Sequence, residues 1–148
     1  MTSQRPQVPI EILMVEDDPG NVLLTQEALK ENRYPVIIHD VADGVAAMAF
    51  LHREPPYADA VRPDLVLLDL NLPKKDGREV LGEIKGDPNL RSIPVVVLTT
   101  SGAEADVLRS YDLHANAYVQ KPLDMDQFVN VIQTFDEFFL SVVRLPQR

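Results

Sequence analysis

Residues 65–73 read Leu65-Val66-Leu67-Leu68-Asp69-Leu70-Asn71-Leu72-Pro73. Four aliphatic residues in succession run into a carboxylate. An unbroken run of this kind suits a strand of a parallel sheet, buried on both faces and so without the polar half of an alternating pattern. Four similar runs stand elsewhere in the chain: Ile10 to Val15, Val36 to His39, Val95 to Leu98, and the short Ala117-Tyr118-Val119.

Between these runs the pattern turns helical. Asp18 is placed to cap a helix with Pro19 at its first position, where proline's missing N–H costs nothing; this helix is expected to reach about Asn32. Asp43-Gly44 opens a second, alanine-rich helix through about His52. Arg78 to Lys85 reads as a third, with Val80, Leu81 and Ile84 apolar. Glu104 to about Leu113 reads as a fourth, and Asp124 caps a fifth that runs to about Leu140. Five strand–helix units joined by right-handed crossovers give an α/β, doubly wound (βα)5 sheet. Residues 53–63 interrupt the rhythm. Their three prolines block both helix continuation and central strand pairing, which predicts a long surface loop.

The composition narrows the function. At 148 residues the chain suits one domain, here residues 10–140, with a loose polar tail at 1–9 and a second tail at 141–148. It has no cysteine, so disulfides, thiolate metal sites and cysteine nucleophiles are excluded, in keeping with a reducing compartment. No apolar run approaches the ~20 residues that span a bilayer, and residues 1–9 lack the apolar stretch of a signal peptide; a cytoplasmic location is expected. The formal net charge of −9 repels phosphate backbones and argues against direct nucleic-acid binding.

Ligands of an open parallel sheet bind beyond the carboxyl ends of its strands, and the chemistry-bearing residues gather there. Glu16-Asp17 follow the first strand, Asp69 the third, Thr99-Thr100 the fourth, and Lys121-Pro122 stand one residue beyond the fifth. Singly, each has an ordinary explanation as a helix cap or a solvated surface charge. Together, in order and each at a strand end, they describe one crevice holding three carboxylates, hydroxyls and an ammonium. Two like charges ~4 Å apart repel by about 4 kcal/mol at an effective dielectric of ~20, so such a trio calls for a proton or a cation. Hard oxygen donors without histidine or cysteine suit Mg2+. Lys121 offers a compact positive charge to Asp69 or to an incoming phosphoryl group.

The set Val15-Glu16-Asp17-Asp18, Leu67 to Pro73, Asp76-Gly77, Pro94 to Thr99 and Lys121-Pro122 resembles the receiver domain of two-component response regulators, over roughly residues 10–139. More narrowly, Asp69 to Leu81, the proline-bearing loop and the tail resemble the small single-domain regulators paired with bacterial phytochromes. The resemblance implies a flavodoxin-like sandwich with strand order 2-1-3-4-5. It implies that Asp69 accepts a phosphoryl group from a histidine kinase, a bacterial phytochrome among the candidates. It implies Mg2+ held by the carboxylates of Asp17 and Asp69 and the backbone carbonyl of Asn71, with Glu16, where the family more often has aspartate, acting directly or through water. Thr99 and Lys121 are implied to bind the phosphoryl oxygens, Thr99 and Tyr118 to form the switch, and the Lys121-Pro122 bond to be cis. Asn71 and Ser101 stand where the family tunes loss of the phosphoryl group; neither is an obvious base, so no unusually fast loss is expected.

No second domain is expected after residue 140, so output is expected to be a protein contact or a phosphoryl relay. The apolar positions Met125, Phe128, Val131, Ile132, Phe135, Phe138 and Phe139, continued by Val142, Val143 and Leu145, are broader than one amphipathic face. They predict a homodimer through the last helix and tail, against the alternative of a tail folded on its own core. Three rival readings remain at this stage. A Mg2+-dependent phosphohydrolase would want a general acid where Asn71 stands. A flavodoxin-like cofactor carrier would not put Glu16-Asp17-Asp18 against a cofactor phosphate. A degenerate receiver that works without phosphorylation would not need Asp69, Thr99 and Lys121 intact.

Overall fold

A computed structural model of the chain describes residues 9–29, 36–99, 115–121 and 126. Along the chain stand β1 (Ile10–Val15), α1 (Pro19–Leu29), β2 (Val36–Val41), α2 (Gly44–Leu51), β3 (Leu65–Asp69), α3 (Gly77–Gly86), β4 (Val95–Thr99) and β5 (Ala117–Gln120). The strands form one parallel sheet in the order β2-β1-β3-β4-β5.

The aliphatic runs owe their continuity to this position. Every residue of β3 and β4 is buried, because strands flank both edges and apolar layers cover both faces. Successive side chains of a strand point to opposite faces, and the core divides accordingly. Leu13, Val15, Val66, Leu68 and Val97 pack with Met48 and Phe50 of α2 and Val80, Leu81 and Ile84 of α3. Ile12, Met14, Leu67, Val96 and Leu98 pack with Val22 and Leu29 of α1. Each fully buried leucine or isoleucine contributes about 1.5–3 kcal/mol relative to exposure. Polar substitution anywhere from Leu65 to Leu68 therefore damages one of two cores.

The helix starts follow their caps. The Asp18 carboxylate accepts from Gly20 N at 2.8 Å and its carbonyl from Val22 N at 3.1 Å. The Asp43 carboxylate accepts from Ala46 N at 2.7 Å. Asp76 and Glu79 form a reciprocal capping box at the start of α3. At Gly44 the start of α2 lies hard against the β3–α3 loop. A methyl there would come within 2.7 Å of Lys75 Cβ, and closer still to the Lys75 carbonyl.

Several boundaries move by one or two residues. β2 continues past His39 to Val41, since β1 offers it partners as far as Val15. Asp69 and Thr99 are the last residues of their strands rather than the first beyond them, each still paired to a neighbour, and Lys121 follows β5 directly. The expected end of the first helix at 30–32, the expected fourth helix, nearly all of the fifth, residues 1–8 and 141–148 of the tails, Thr100, Ser101 and the Lys121-Pro122 bond lie outside the described residues; the cis bond among those described is Pro55-Pro56. The proline-bearing segment is a loop without strand or helix, and it is tied down. Arg62 donates to Asn89 O at 2.6 Å and to Ser92 Oγ at 3.0 Å, and Tyr57 stacks at a tilt on Phe50, itself against His39. Among the described residues no helix is long and apolar enough to cross a membrane.

Candidate functional site

The strand order sets β1 and β3 side by side with β4 next and β5 at the edge, so their carboxyl ends present neighbouring residues. Beyond β1 the ladder persists for one step, Glu16 N donating to Val41 O at 3.0 Å. This fixes Glu16 pointing inward, buried, while Asp17 stays exposed. Asp69 and Thr99 are buried at the ends of β3 and β4. Lys121 N donates to Thr99 O, so the backbone of β4 carries Lys121 over the crevice.

Lys121 closes the site. Its Nζ lies 3.1 Å from Glu16 Oε1 and 3.0 Å from Asp69 Oδ2. The remaining oxygens are also engaged: Glu16 Oε2 accepts from Asp18 N at 3.2 Å, and Asp69 Oδ1 from Asn71 N at 3.0 Å. The bond from Asn71 turns the chain sharply after the strand, and Gly77 N completes the turn on Leu70 O at 3.0 Å. Only glycine fits there, because a Cβ at position 77 would lie 2.5 Å from Asp69 O and from Leu70 Cα.

Oxygen atoms of Glu16, Asp17 and Asp69 all lie within 4.8 Å of one another. Burial, reinforced by the nearby Asp69 charge, raises the Glu16 carboxyl above its ordinary value of 4.5 despite the Lys121 ammonium. Burial alone would lower Lys121, but its hydrogen bonds to Asp69 and Glu16 prevail and raise it, holding the ammonium charged. Three carboxylates against one ammonium leave two negative charges when all are ionised. A divalent cation balances that sum. The all-oxygen donor set suits a hard ion of the Mg2+ or Mn2+ type, and at exposed Asp17 the cluster is open to solvent.

The structure thus brings together Glu16, Asp17, Asp69 and Lys121 as the sequence predicts, with Thr99 one strand away and Asn71 at the turn. Tyr118 sits on β5 opposite Val97, half-buried against the core on the α2 and α3 side. Sequence reasoning overlooked a cationic pair on the loop after Asp69. Lys74, with a left-handed φ of 69°, reaches the α2 cap Asp43 at 3.5 Å, and Lys75 pairs with Glu83. It also overlooked Lys85 and Asn116, which meet at the opposite end of the sheet. Nothing local marks these residues, since each pair joins separate elements.

Known proteins share this fold. The family model described as the response regulator receiver domain matches residues 12–133. Response regulator Rcp1 of Synechocystis sp. is 49% identical over 138 residues, covering 93% of this chain and 94% of that protein. The crystal structure of the phosphorylated cyanobacterial phytochrome response regulator RcpA is similar at a TM-score of 0.74 and 51% identity, over 94% of this chain and 99% of that one. The Mn(2+)-bound form of Rcp1 gives a TM-score of 0.73 at 51% identity, over 93% and 99% of the two chains.

Proposed function

The chain belongs to the family of response regulator receiver domains, and on that premise we propose that Asp69 is its phosphoacceptor. Receiver domains are signalling domains of two-component systems, partnered with histidine kinases. In the reaction proposed here, an Asp69 carboxylate oxygen attacks the phosphorus of a phosphohistidine. The P–N bond breaks, and the imidazole departs as the neutral base after taking up a proton. Phosphoryl transfer of this kind is chiefly positioning and charge neutralisation.

Each neighbour has a role in that step. The Asp17 and Asp69 carboxylates and the Asn71 carbonyl would hold Mg2+, with Glu16 contacting it directly or through water. The ion, when bound, neutralises the phosphoryl oxygens that approach the acids. Lys121, already hydrogen-bonded to Asp69, turns to a phosphoryl oxygen and orients it. Thr99 donates its hydroxyl to the charge that appears on Asp69, roughly −1.5 to −2 where about −1 stood. Movement of Thr99 toward that charge frees space for Tyr118 to turn inward, which alters the surface around β5. The receiver unit is taken as residues 10–140, and a homodimer through the last helix and tail is proposed from the sequence pattern there. A bacterial phytochrome is the proposed kinase, supported by the description of the relative RcpA. No turnover of external phosphate esters is expected beyond the domain's own phosphorylation and slow dephosphorylation.

The observation that carries this reading is the Lys121 ammonium held between Glu16 and Asp69 inside the acidic trio. Intact-mass measurement after acetyl phosphate and Mg2+ tests it. Wild type should gain one phosphoryl group and Asp69→Asn none; equal labelling of both would overturn the assignment.

A further inference from the structure

β5 supplies Lys121, yet it is the least secured strand of the sheet. It is four residues long, half-buried to exposed throughout, and among the described residues paired only with β4. A slip of one residue in such a strand moves it by about 3.3 Å and turns its side chains to the opposite face. That displacement exceeds the margin of the hydrogen bonds from Lys121 to Glu16 and Asp69. The apolar pattern of Ala117-Tyr118-Val119 is too short to exclude it. Something else must set the register.

At the amino end of β5 a polar node does so. Asn116 grips Val95 twice: its backbone N donates to Val95 O at 2.8 Å, and its side-chain Oδ1 accepts from Val95 N at 2.9 Å. The same Oδ1 accepts from Lys85 Nζ, of α3, at 3.1 Å. Lys85 Nζ also donates to Ile93 O at 2.9 Å and Arg91 O at 3.2 Å. The Lys85 ammonium is thus surrounded by three neutral oxygens drawn from the α3–β4 loop and from the residue before β5. It joins α3, the entry to β4 and the entry to β5 at one point.

We propose that Lys85 and Asn116 form a latch that sets the register of β5 and, through it, positions Lys121 for phosphoryl transfer. The proposal rests on the reading of Asp69 and Lys121 given above. Both are positioning residues, acting from the end of the sheet opposite the acids. The latch holds the strand just before its first residue, and the bond from Lys121 N to Thr99 O holds it just beyond its last. The acids of the site come from β1 and β3, which the latch does not touch. It therefore acts on the cationic side of the reaction and displaces none of the acidic donors themselves.

The test uses the full chain with acetyl phosphate as donor. Lys85→Met and Asn116→Ala should slow labelling of Asp69 by about tenfold or more, as a misplacement on the ångström scale does. Magnesium affinity, read by calorimetry with Mg2+ alone, should not fall, since a displaced Lys121 only removes positive charge from beside the acids, and amide hydrogen exchange across Ala117–Gln120 should quicken. Lys85→Arg and Asn116→Asp, which keep a donor and an acceptor in place, should restore the rate. The latch is refuted if Lys85→Met and Asn116→Ala label at the wild-type rate with unaltered exchange. It is equally refuted if Mg2+ affinity falls by the same factor as the rate, the sign of general loosening. Should wild type itself take no phosphoryl group, the reading of Asp69 fails instead, and exchange in β5 alone decides: quickening in Asn116→Ala sustains the latch, and no change ends it.

Discussion

The Lys121 ammonium lies 3.0 Å from the Asp69 carboxylate, the one from beyond the edge strand and the other from the middle of the sheet. Both are largely shielded, with side chains 16% and 4% exposed. Breaking a buried pair by removing one partner typically costs about 3–5 kcal/mol. Lys121→Met should fall at the lower end, about 3 kcal/mol, since Lys121 keeps some contact with water. Addition of Mg2+ should recover part of the loss. Urea unfolding with and without the ion measures both effects, and an unchanged metal-free midpoint would contradict the pairing.

Asp17 carries the opposite expectation. It is exposed and adds a third negative charge to the cluster, so Asp17→Asn should raise the metal-free melting temperature. The same change should abolish the stabilisation by Mg2+, which for an intact site reaches about 2.7 kcal/mol at a hundredfold excess over Kd. A melting curve at increasing Mg2+ that stays as steep in Asp17→Asn as in wild type would exclude Asp17 as a ligand.

Lys85 sets a pH dependence. Burial lowers its pKa from the ordinary 10.5. Between that lowered value and 10.5 the unfolded chain holds more of the proton, so stability rises with pH over this interval. The difference in unfolding midpoint between wild type and Lys85→Met should therefore shift in favour of wild type as pH climbs toward 10.5. A difference that stays flat, or shrinks, would show that burial does not penalise this ammonium.

Gly77→Ala should destabilise by about 1–3 kcal/mol, the usual cost of forcing an extra carbon into a packed site. The added methyl meets backbone atoms of Asp69 and Leu70, which cannot step aside as a flexible side chain can. The displaced turn also carries Asn71 N away from Asp69, so phosphorylation should slow in the same variant. A full-rate, fully stable Gly77→Ala protein would mean that the turn has more room than its geometry allows.

How much of this could be read beforehand depends on the range of the forces involved. The strands were legible because burial on two faces leaves a one-dimensional trace, as in Leu65 to Leu68. The caps at Asp18 and Asp43 were legible because a cap and its amide are neighbours in the chain; the Asp76 cap, equally local, was passed over. The acidic trio with Lys121 could be assembled because parallel topology brings strand ends together without further information. The exact strand ends were not legible: whether Asp69 and Thr99 close their strands depends on partners in β4 and β5. Pairs such as Lys85 with Asn116, Glu11 with His39 at 2.7 Å and Lys74 with Asp43 had no local trace. Each joins elements whose proximity only the finished sheet decides, and a lone lysine or asparagine reads the same with or without a partner.

The tight seat of Gly44 against Lys75 has a mechanical corollary. With no free volume between the first turn of α2 and the loop that leaves Asp69, neither can be pushed without carrying the other. A force applied to α2 from outside therefore reaches the loop that leaves Asp69 at its nearest point, the Lys75 carbonyl, with Lys75 Cβ and a Val80 methyl close beside it.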